Sequence, residues 1–540
     1  MSPRNPASIR VLVCDDLDPI ALDELRSRGI EPEVLQPMSE DQLIALLPGV
    51  HALLVRSATK ITERVLQAAP NLELVGRAGV GVDNVDLAAA TSRGVVVMNT
   101  PTGNTVTTAE LAVSLICSLA RHIPRADRMV RSGKWSKKGL MGTELTGKTL
   151  GVVGLGRIGA EVARRGQGLC MRVVAHDPYL SGTGAPSPIA GVDLVSLESL
   201  LEQADFVTLH VPLMDSTKNL IGADQLASMK PGSRLINAAR GGLVDEGALL
   251  RALENGHLAG AALDVFAQEP PAADHPLLQR DDVILTPHLG ASSEEAQRNV
   301  AIQVAQQTAA FFLDGVAQNA INLPALTQAE RQALGPWAFL ATAMGRFLAQ
   351  RASEPIRKLE LFTLGEATAH SSEHLERALL AGLLGQSIEG GVNLVNAPLL
   401  AAERGIRVLR GQDEDAGNFS GLLRARASSK GGGESHLVAG TVFGTHPRFV
   451  RVDGVHVDLD PKGTMLVTRH HDRPGVVGAI GTALGNAGIN IRRVELGPPA
   501  HNAEGMSSAF LMLHNRPSDA VIEQIAALEP IVDVYLVELS

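Results

Sequence analysis

The sequence has little cysteine, no long apolar run, no low-complexity segment and no surplus of positive charge, and each lack narrows what the chain can be. Its three cysteines, Cys14, Cys117 and Cys170, are scattered through apolar surroundings without the close spacing of metal ligands. That usage reads as buried free thiols in a reducing compartment, with no metal site. Met1 to Asp16 reaches acidic residues before any long apolar core, which does not read as a signal peptide. The most apolar helical stretch, Leu111 to Ala120, is too short to cross a bilayer. A formal net charge of −10 disfavours non-specific contact with nucleic acid or an anionic membrane. The expectation is a cytoplasmic protein that serves a small molecule, with neither nucleic acid nor membrane as partner.

What is present is ordinary globular composition, 45% hydrophobic and 20% charged, in 540 residues that call for three or four domains. The first half alternates β-branched runs with helical spacing, the form of an α/β protein with parallel sheets. Ile9–Val13, Ala52–Val55, Leu72–Val75 and Val95–Met98 read as strands, with helices over Ile20–Arg28, Thr62–Ala69 and Thr107–His122. A second series follows at Thr149–Val153, Arg172–Ala175, Phe206–Leu209, Arg234–Ile236, Gly260–Asp264 and Val283–Leu285. Ser292–Phe312 reads as a strongly amphipathic helix capped by Ser292 or Ser293. Composition changes near Asn319–Pro324; a mixed region follows, in which Ser428–Glu434 reads as a flexible loop. From Thr464 the order is strand, helix, strand, strand, helix, strand, a ferredoxin-like βαββαβ unit. The predicted class is α/β, with two Rossmann-like doubly wound domains followed by an α+β region and this small unit.

The sharpest motif is V-V-G-L-G-R-I-G, which follows a predicted strand and opens a helix. Gly154 permits the tight turn, Gly156 lets the backbone approach a pyrophosphate, and Gly159 lets helix and strand pack closely. The next strand ends at Asp177, the spacing expected of the acid that binds the adenosine ribose and repels a 2′-phosphate. NAD is therefore the expected cofactor. Downstream, Arg240, Glu269 and His288 each stand at or just past a strand end, where open α/β sheets place their chemistry. Oxidising a secondary alcohol needs a base, and His suits that work near neutral pH. A carboxylate beside the imidazole favours its protonated form and fixes the tautomer. A guanidinium can hold a substrate carboxylate and the oxygen at C2.

N-A-A-R-G-G-L-V-D-E, A-L-D-V-F-A-Q-E-P and T-P-H-L-G-A-S resemble the signature blocks of the D-isomer-specific 2-hydroxyacid dehydrogenases, over about Ile9 to Pro324. The resemblance implies Arg240, Glu269 and His288 as the catalytic residues. Around the NAD it implies Arg157, Ile158, Val211, Pro212, Ala238, Ala239, Asp264 and Gly290. It also implies a substrate domain over residues 1–102 and 296–324, interrupted by the cofactor domain at 103–295. L-L-V-R-S-A-T-K, G-R-A-G-V-G-V-D-N-V-D and M-N-T-P-T-G-N-T are similar to the phosphoglycerate-oxidising branch of that family. D-3-phosphoglycerate is thereby the implied substrate. Gly79, Val80 and Gly81 would offer backbone N–H groups to its carboxylate, and Arg56 with Ser57 would meet the phosphate. Val80 stands where relatives often carry Thr. Trp135, Lys137 and Lys138 resemble a loop that reaches a neighbouring subunit's site in that branch.

V-N-L-V-N-A-P-L-L-A-A-E-R-G-I resembles the branch's intervening domain, placed at 325–459. H-H-D-R-P-G-V-V-G-A-I-G followed by A-G-I-N-I resembles an ACT domain, placed at 460–540. The resemblance implies an L-serine effector site at His470, Asp472 and Asn490, and a homotetramer.

Overall fold

The computed structural model of the chain describes residues 4–181, 186–386, 388, 391–432, 434–497 and 505–539. Strands β1 (Val11–Val13), β2 (Pro32–Val34), β3 (Ala52–Val55), β4 (Leu74–Arg77) and β5 (Val96–Asn99) form a parallel sheet in the order β2-β1-β3-β4-β5. Their buried runs suit strands covered on both faces. The helix Glu294–Asp314, capped by the Ser293 hydroxyl on the Ala296 N–H (3.2 Å), packs back on this sheet. Val300, Val304 and Phe311 share one core with Val11, Leu54 and Met98. The helix is less two-faced than its sequence suggested. Gln307 and Thr308 are buried too, and the Thr308 hydroxyl donates to its own helix at Val304 (2.7 Å).

A second parallel sheet comprises β6 (Thr149–Val153), β7 (Arg172–His176), β8 (Val192–Leu194), β9 (Phe206–Leu209), β10 (Arg234–Asn237), β11 (Gly260–Leu263) and β12 (Val283–Leu285). Its order, β12-β11-β10-β9-β6-β7-β8, reverses direction between β6 and β9, which opens a crevice at the carboxyl ends of those strands. The helix Thr105–Arg121 buries Ala109, Ala112, Leu115, Ile116 and Leu119 against this sheet. No single helix among the described residues is long and apolar enough to cross a membrane.

The mixed region forms a six-stranded sheet of β13 (Lys358–Gly365), β14 (Arg407–Asp413), β15 (Gly421–Ser428), β16 (Ser435–Phe443), β17 (His446–Val452) and β18 (Val455–Leu459), antiparallel except for β13 with β14. The connection read as a flexible loop is closed at its base. Ser429 donates to the Glu434 carbonyl, and Glu434 donates back to the Ser429 hydroxyl, each at 2.9 Å. The last unit, β19 (Thr464–His471), β20 (Ile491–Gly497), β21 (Met506–Leu513) and β22 (Ile531–Glu538), has the ferredoxin-like order β20-β21-β19-β22. It is welded to the preceding domain. Met465, Val467 and Val537 enter the core built on Leu340 and Phe347 of the helix Gln328–Arg351. Arg346 and Gln350 of that helix donate to the Leu539 and Glu538 carbonyls, both at 2.9 Å.

The α/β class and the two parallel sheets stand as expected, with the first sheet in the flavodoxin-like strand order. The cysteines do not form a uniformly buried set. Cys14 is buried and its thiol is pushed up to about 12 by desolvation, whereas Cys117 is partly buried and Cys170 is exposed. Cys170 sits at φ +58° in the surface reversal between the helix Arg157–Gly168 and β7.

Candidate active site

The glycine turn after β6 has the geometry a dinucleotide pyrophosphate requires. Gly154 adopts φ +92°, and a Cβ there would lie 2.6 Å from the His210 carbonyl oxygen. A Cβ on Gly159 would lie 1.9 Å from the Gly154 carbonyl oxygen, so helix and turn touch through bare backbone. Gly156, at the helix N-terminus, is different: a Cβ there meets nothing within 4 Å. The space is open where a phosphate would approach the N–H groups of the first helical turn. Asp177, one residue past β7, accepts from the Leu155 N–H and the Tyr179 N–H, both at 3.0 Å. It thus braces the turn while its remaining lone pairs can take a ribose diol. These residues fit NAD. Asp177→Ala should narrow the NAD-to-NADP preference in kcat/KM by about three- to tenfold, the worth of a typical hydrogen bond. An unchanged ratio would leave Asp177 as a brace alone.

His288 lies at φ +55° in the turn after β12. Its Nδ1 is 2.7 Å from Glu269 Oε2, and Glu269 Oε1 accepts from the Phe266 N–H (3.1 Å). The imidazole is therefore held through one nitrogen, leaving Nε2 for a ligand. Asp264 is 1% exposed and lines, with Glu269 and His288, a second cavity beside the cleft. Its Oδ1 accepts from the Thr286 hydroxyl (2.6 Å) and the Leu289 N–H (2.7 Å), and its Oδ2 from the Gly290 N–H (3.0 Å). Burial pushes its carboxyl up, against the pull of these donors. Asp264 is the post on which the His288 turn hangs, and the Gly290 carbonyl is in turn held by the Thr108 hydroxyl (2.6 Å).

Arg240, three residues past β10, donates Nη1 to the Ala239 carbonyl (2.7 Å) and Nε to Asp83 Oδ2 (3.1 Å). A cleft of 390 Å³ lies between the two sheets. Val80, Gly81 and Asp83 line it from the first, and Arg157, Ile158, Val211, Pro212, Ala238, Ala239, Arg240, His288 and Gly290 from the second. Gly79 adopts φ +146°, and a Cβ on it would collide with the Arg77 guanidinium at 1.4 Å. Gly81 likewise makes room for Arg240, whose Nη2 would lie 1.9 Å from a Cβ there.

Arg77 escaped the sequence reading. It ends β4 and lines the same cleft, and its Nε is buried without a partner. Desolvation, then the neighbouring Arg240, pull its guanidinium down to about 10, so it stays charged at neutral pH. His210 also lines the cleft, pushed down to about 4 by burial, with Nδ1 unpartnered. The strand-end position that singled out Arg240 would have singled out Arg77.

Other candidates lie apart. Arg56 and Ser57 line a separate cavity of 880 Å³ over the carboxyl ends of β1 and β3, where Arg56 Nη1 donates to the Asp16 carbonyl (2.8 Å). Trp135, 91% exposed, sits with Lys137 and Lys138 on a surface loop outside the cleft. In the last unit His470 is 2% exposed, 3.3 Å from the Thr468 hydroxyl and pushed down by burial. Asp472 follows β19, while Asn490 precedes β20 beside His514, at the Thr464 end of the sheet. At about 3.3 Å per residue, roughly 20 Å or more separates the two within one chain.

The comparisons agree with this architecture. The family described as "D-isomer specific 2-hydroxyacid dehydrogenase, NAD binding domain" matches residues 113–290. A D-3-phosphoglycerate dehydrogenase intervening domain matches 333–453 and an ACT domain 464–530. The chain is 42% identical over 531 residues to a D-3-phosphoglycerate dehydrogenase of Archaeoglobus fulgidus, covering 98% of this chain and 100% of that one. It is 39% identical to the one of Bacillus subtilis, covering 96% and 98%. A solved NAD-dependent formate dehydrogenase of Staphylococcus aureus, in complex with NAD, aligns with TM-score 0.52 and 32% identity over 58% of this chain and 98% of that one. With its cofactor turn, its Arg–Glu–His constellation and its full-length relatives, the chain belongs to the D-3-phosphoglycerate dehydrogenase family of NAD-dependent D-2-hydroxyacid dehydrogenases.

Proposed function

We propose that the chain oxidises D-3-phosphoglycerate to 3-phosphohydroxypyruvate, the entry step to L-serine. The observation that carries the chemistry is the 2.7 Å contact between His288 Nδ1 and Glu269, beside a cleft lined by Arg240 and by Arg157 and Ile158 of the glycine-turn motif. NAD⁺ supplies the hydride acceptor when bound. His288 takes the hydroxyl proton at Nε2, and Glu269 fixes the tautomer and steadies the imidazolium that forms. Arg240 and the Val80–Gly81 backbone orient the carboxylate, setting C2 for transfer. Arg77 is the cation best placed for a second anionic group, with Arg56 at the neighbouring cavity. NADH absorbance with D-3-phosphoglycerate, D-glycerate, glycolate and D-lactate tests the reading. A rate with D-glycerate equal to that with the phosphorylated acid would overturn it.

L-Serine is the proposed effector, and a homotetramer the proposed assembly. Because Asp472 and Asn490 stand at opposite ends of one sheet, a serine held by both needs two copies of the unit, with the Asp472 end of one beside the Asn490 end of the other. The ammonium would meet Asp472 of one copy, and the carboxylate the Asn490 amide of the other. Deleting the unit would strip the core around Leu340 and Phe347, so Asn490→Ala is the better variant. L-Serine, with D-serine and glycine as controls, should inhibit the wild type and do so at least about tenfold less in the variant, as loss of a charge-assisted hydrogen bond implies. Equal inhibition of both would remove Asn490 from the site. Trp135, Lys137 and Lys138 would serve a neighbouring subunit's cleft in such an assembly.

A further inference from the structure

The cation-rich cleft carries one acid, and that acid is already on the catalytic guanidinium. Among the described residues lining the cleft, Arg77, Arg157 and Arg240 are cationic and Asp83 is the sole carboxylate. Asp83 belongs to the first sheet's domain and Arg240 to the second, so their 3.1 Å ion pair crosses the cleft. The pair lies directly over the bare Cα of Gly81. A Cβ there would be 1.9 Å from Arg240 Nη2 and 2.6 Å from Asp83 Oδ2. Under the proposed reaction, that is the place where backbone N–H groups and Arg240 together receive the substrate's carboxylate.

We propose that Asp83 is a built-in stand-in for the substrate's carboxylate: it occupies Arg240 across the empty cleft, yields to the substrate and returns as product leaves. The proposal rests on the reading of the cleft given above. Three observations support it. With Arg240 Nε and Nη1 committed, Nη2 has no protein partner among the described residues, so an incoming carboxylate first has one free edge and then competes for Nε. The Asp83 side chain is 68% exposed against 25% for Arg240, and an ion pair so open to water is weak and easily exchanged. Arg77 also needs the acid: Arg240 pushes its guanidinium down and Asp83 pushes it up, so Asp83 offsets the repulsion between two cations that otherwise face each other.

A competitor inside the site weakens ground-state binding and speeds release together. Asp83→Asn and Asp83→Ala should therefore lower KM for D-3-phosphoglycerate by about three- to tenfold, the scale of an exposed charge pair and its long-range field. Inorganic sulfate should compete at about three- to tenfold lower concentration for the same reason. kcat should fall along with KM, with a burst of NADH as product release slows. A residue that merely shapes the loop, or that holds Arg240 throughout turnover, would raise KM and leave sulfate inhibition where it was; either change overturns the proposal. Sulfate titrated by calorimetry into the protein with bound NADH gives the same comparison without turnover. Tighter sulfate in both variants would support the stand-in even if D-3-phosphoglycerate proved not to be the substrate, and unchanged sulfate affinity would sink it.

Discussion

Replacing His288 by Ala lowers kcat by about two to four powers of ten, the usual worth of a general base, while NADH binds nearly as before. The split follows from where the groups are held. His288 hangs on the turn that Asp264 organises, whereas the glycine turn and Asp177 belong to β6 and β7. Because His288 sits at φ +55°, Ala there adds backbone strain, and Asn, which tolerates the left-handed region, is the control. Both variants should lose turnover alike. Glu269→Gln should do less: Nδ1 loses the carboxylate that holds the ring in place, and kcat falls by about tenfold to a hundredfold, the worth of a charge-assisted hydrogen bond. A His288 variant with wild-type kcat at neutral pH would remove the residue from the chemistry. A Glu269→Gln variant with wild-type kcat would reduce Glu269 to a steric support.

The parts of the fold that could be read in advance are those whose signal is periodic or glycine-bound. The apolar runs at Ala52–Val55 and Thr149–Val153 are strands as read, because buried parallel strands need apolar side chains on both faces. The edge strands Pro32–Val34 and Val192–Leu194 were not legible. Three residues carry no periodicity, and an edge position tolerates the Pro of one and the Asp of the other. The strand read as Leu72–Val75 runs Leu74–Arg77, so Arg77, close behind the read strand end, is the last strand residue and lines the cleft. In the sequence it stood in a glycine-rich segment read only for its backbone. Nor could spacing reveal that Asp264 would hold the His288 turn, since that depends on Thr286 and Leu289 of a later loop coming back to its carboxylate. By contrast, the separation of Asp472 from Asn490 was implicit in the βαββαβ order itself, which starts β19 and β20 at the same end of the sheet.

Arg77→Ala should raise KM for D-3-phosphoglycerate by about tenfold to a hundredfold, as expected for a charge-assisted hydrogen bond worth roughly 1.5–3 kcal/mol. The guanidinium has what a ligand-binding cation needs: it remains charged, its Nε is buried without a partner, and Gly79 is bare beneath it. Burying an unpaired donor costs free energy that an incoming anion recovers, so its loss should appear in binding more than in kcat. Arg56 is placed otherwise. Its Nη1 already donates to the Asp16 carbonyl, and it lines the adjoining cavity with Asp15 and Asp16, so Arg56→Ala should raise KM by a smaller factor. Measuring both variants on D-3-phosphoglycerate and D-glycerate assigns the groups. A loss confined to the phosphorylated acid puts Arg77 on the phosphate, while an equal loss on both puts it on the carboxylate beside Arg240. If Arg56→Ala shows the larger, phosphate-specific loss and Arg77→Ala the smaller, the phosphate sits over the carboxyl ends of β1 and β3, and the unpartnered Arg77 donor serves the fold instead of the ligand.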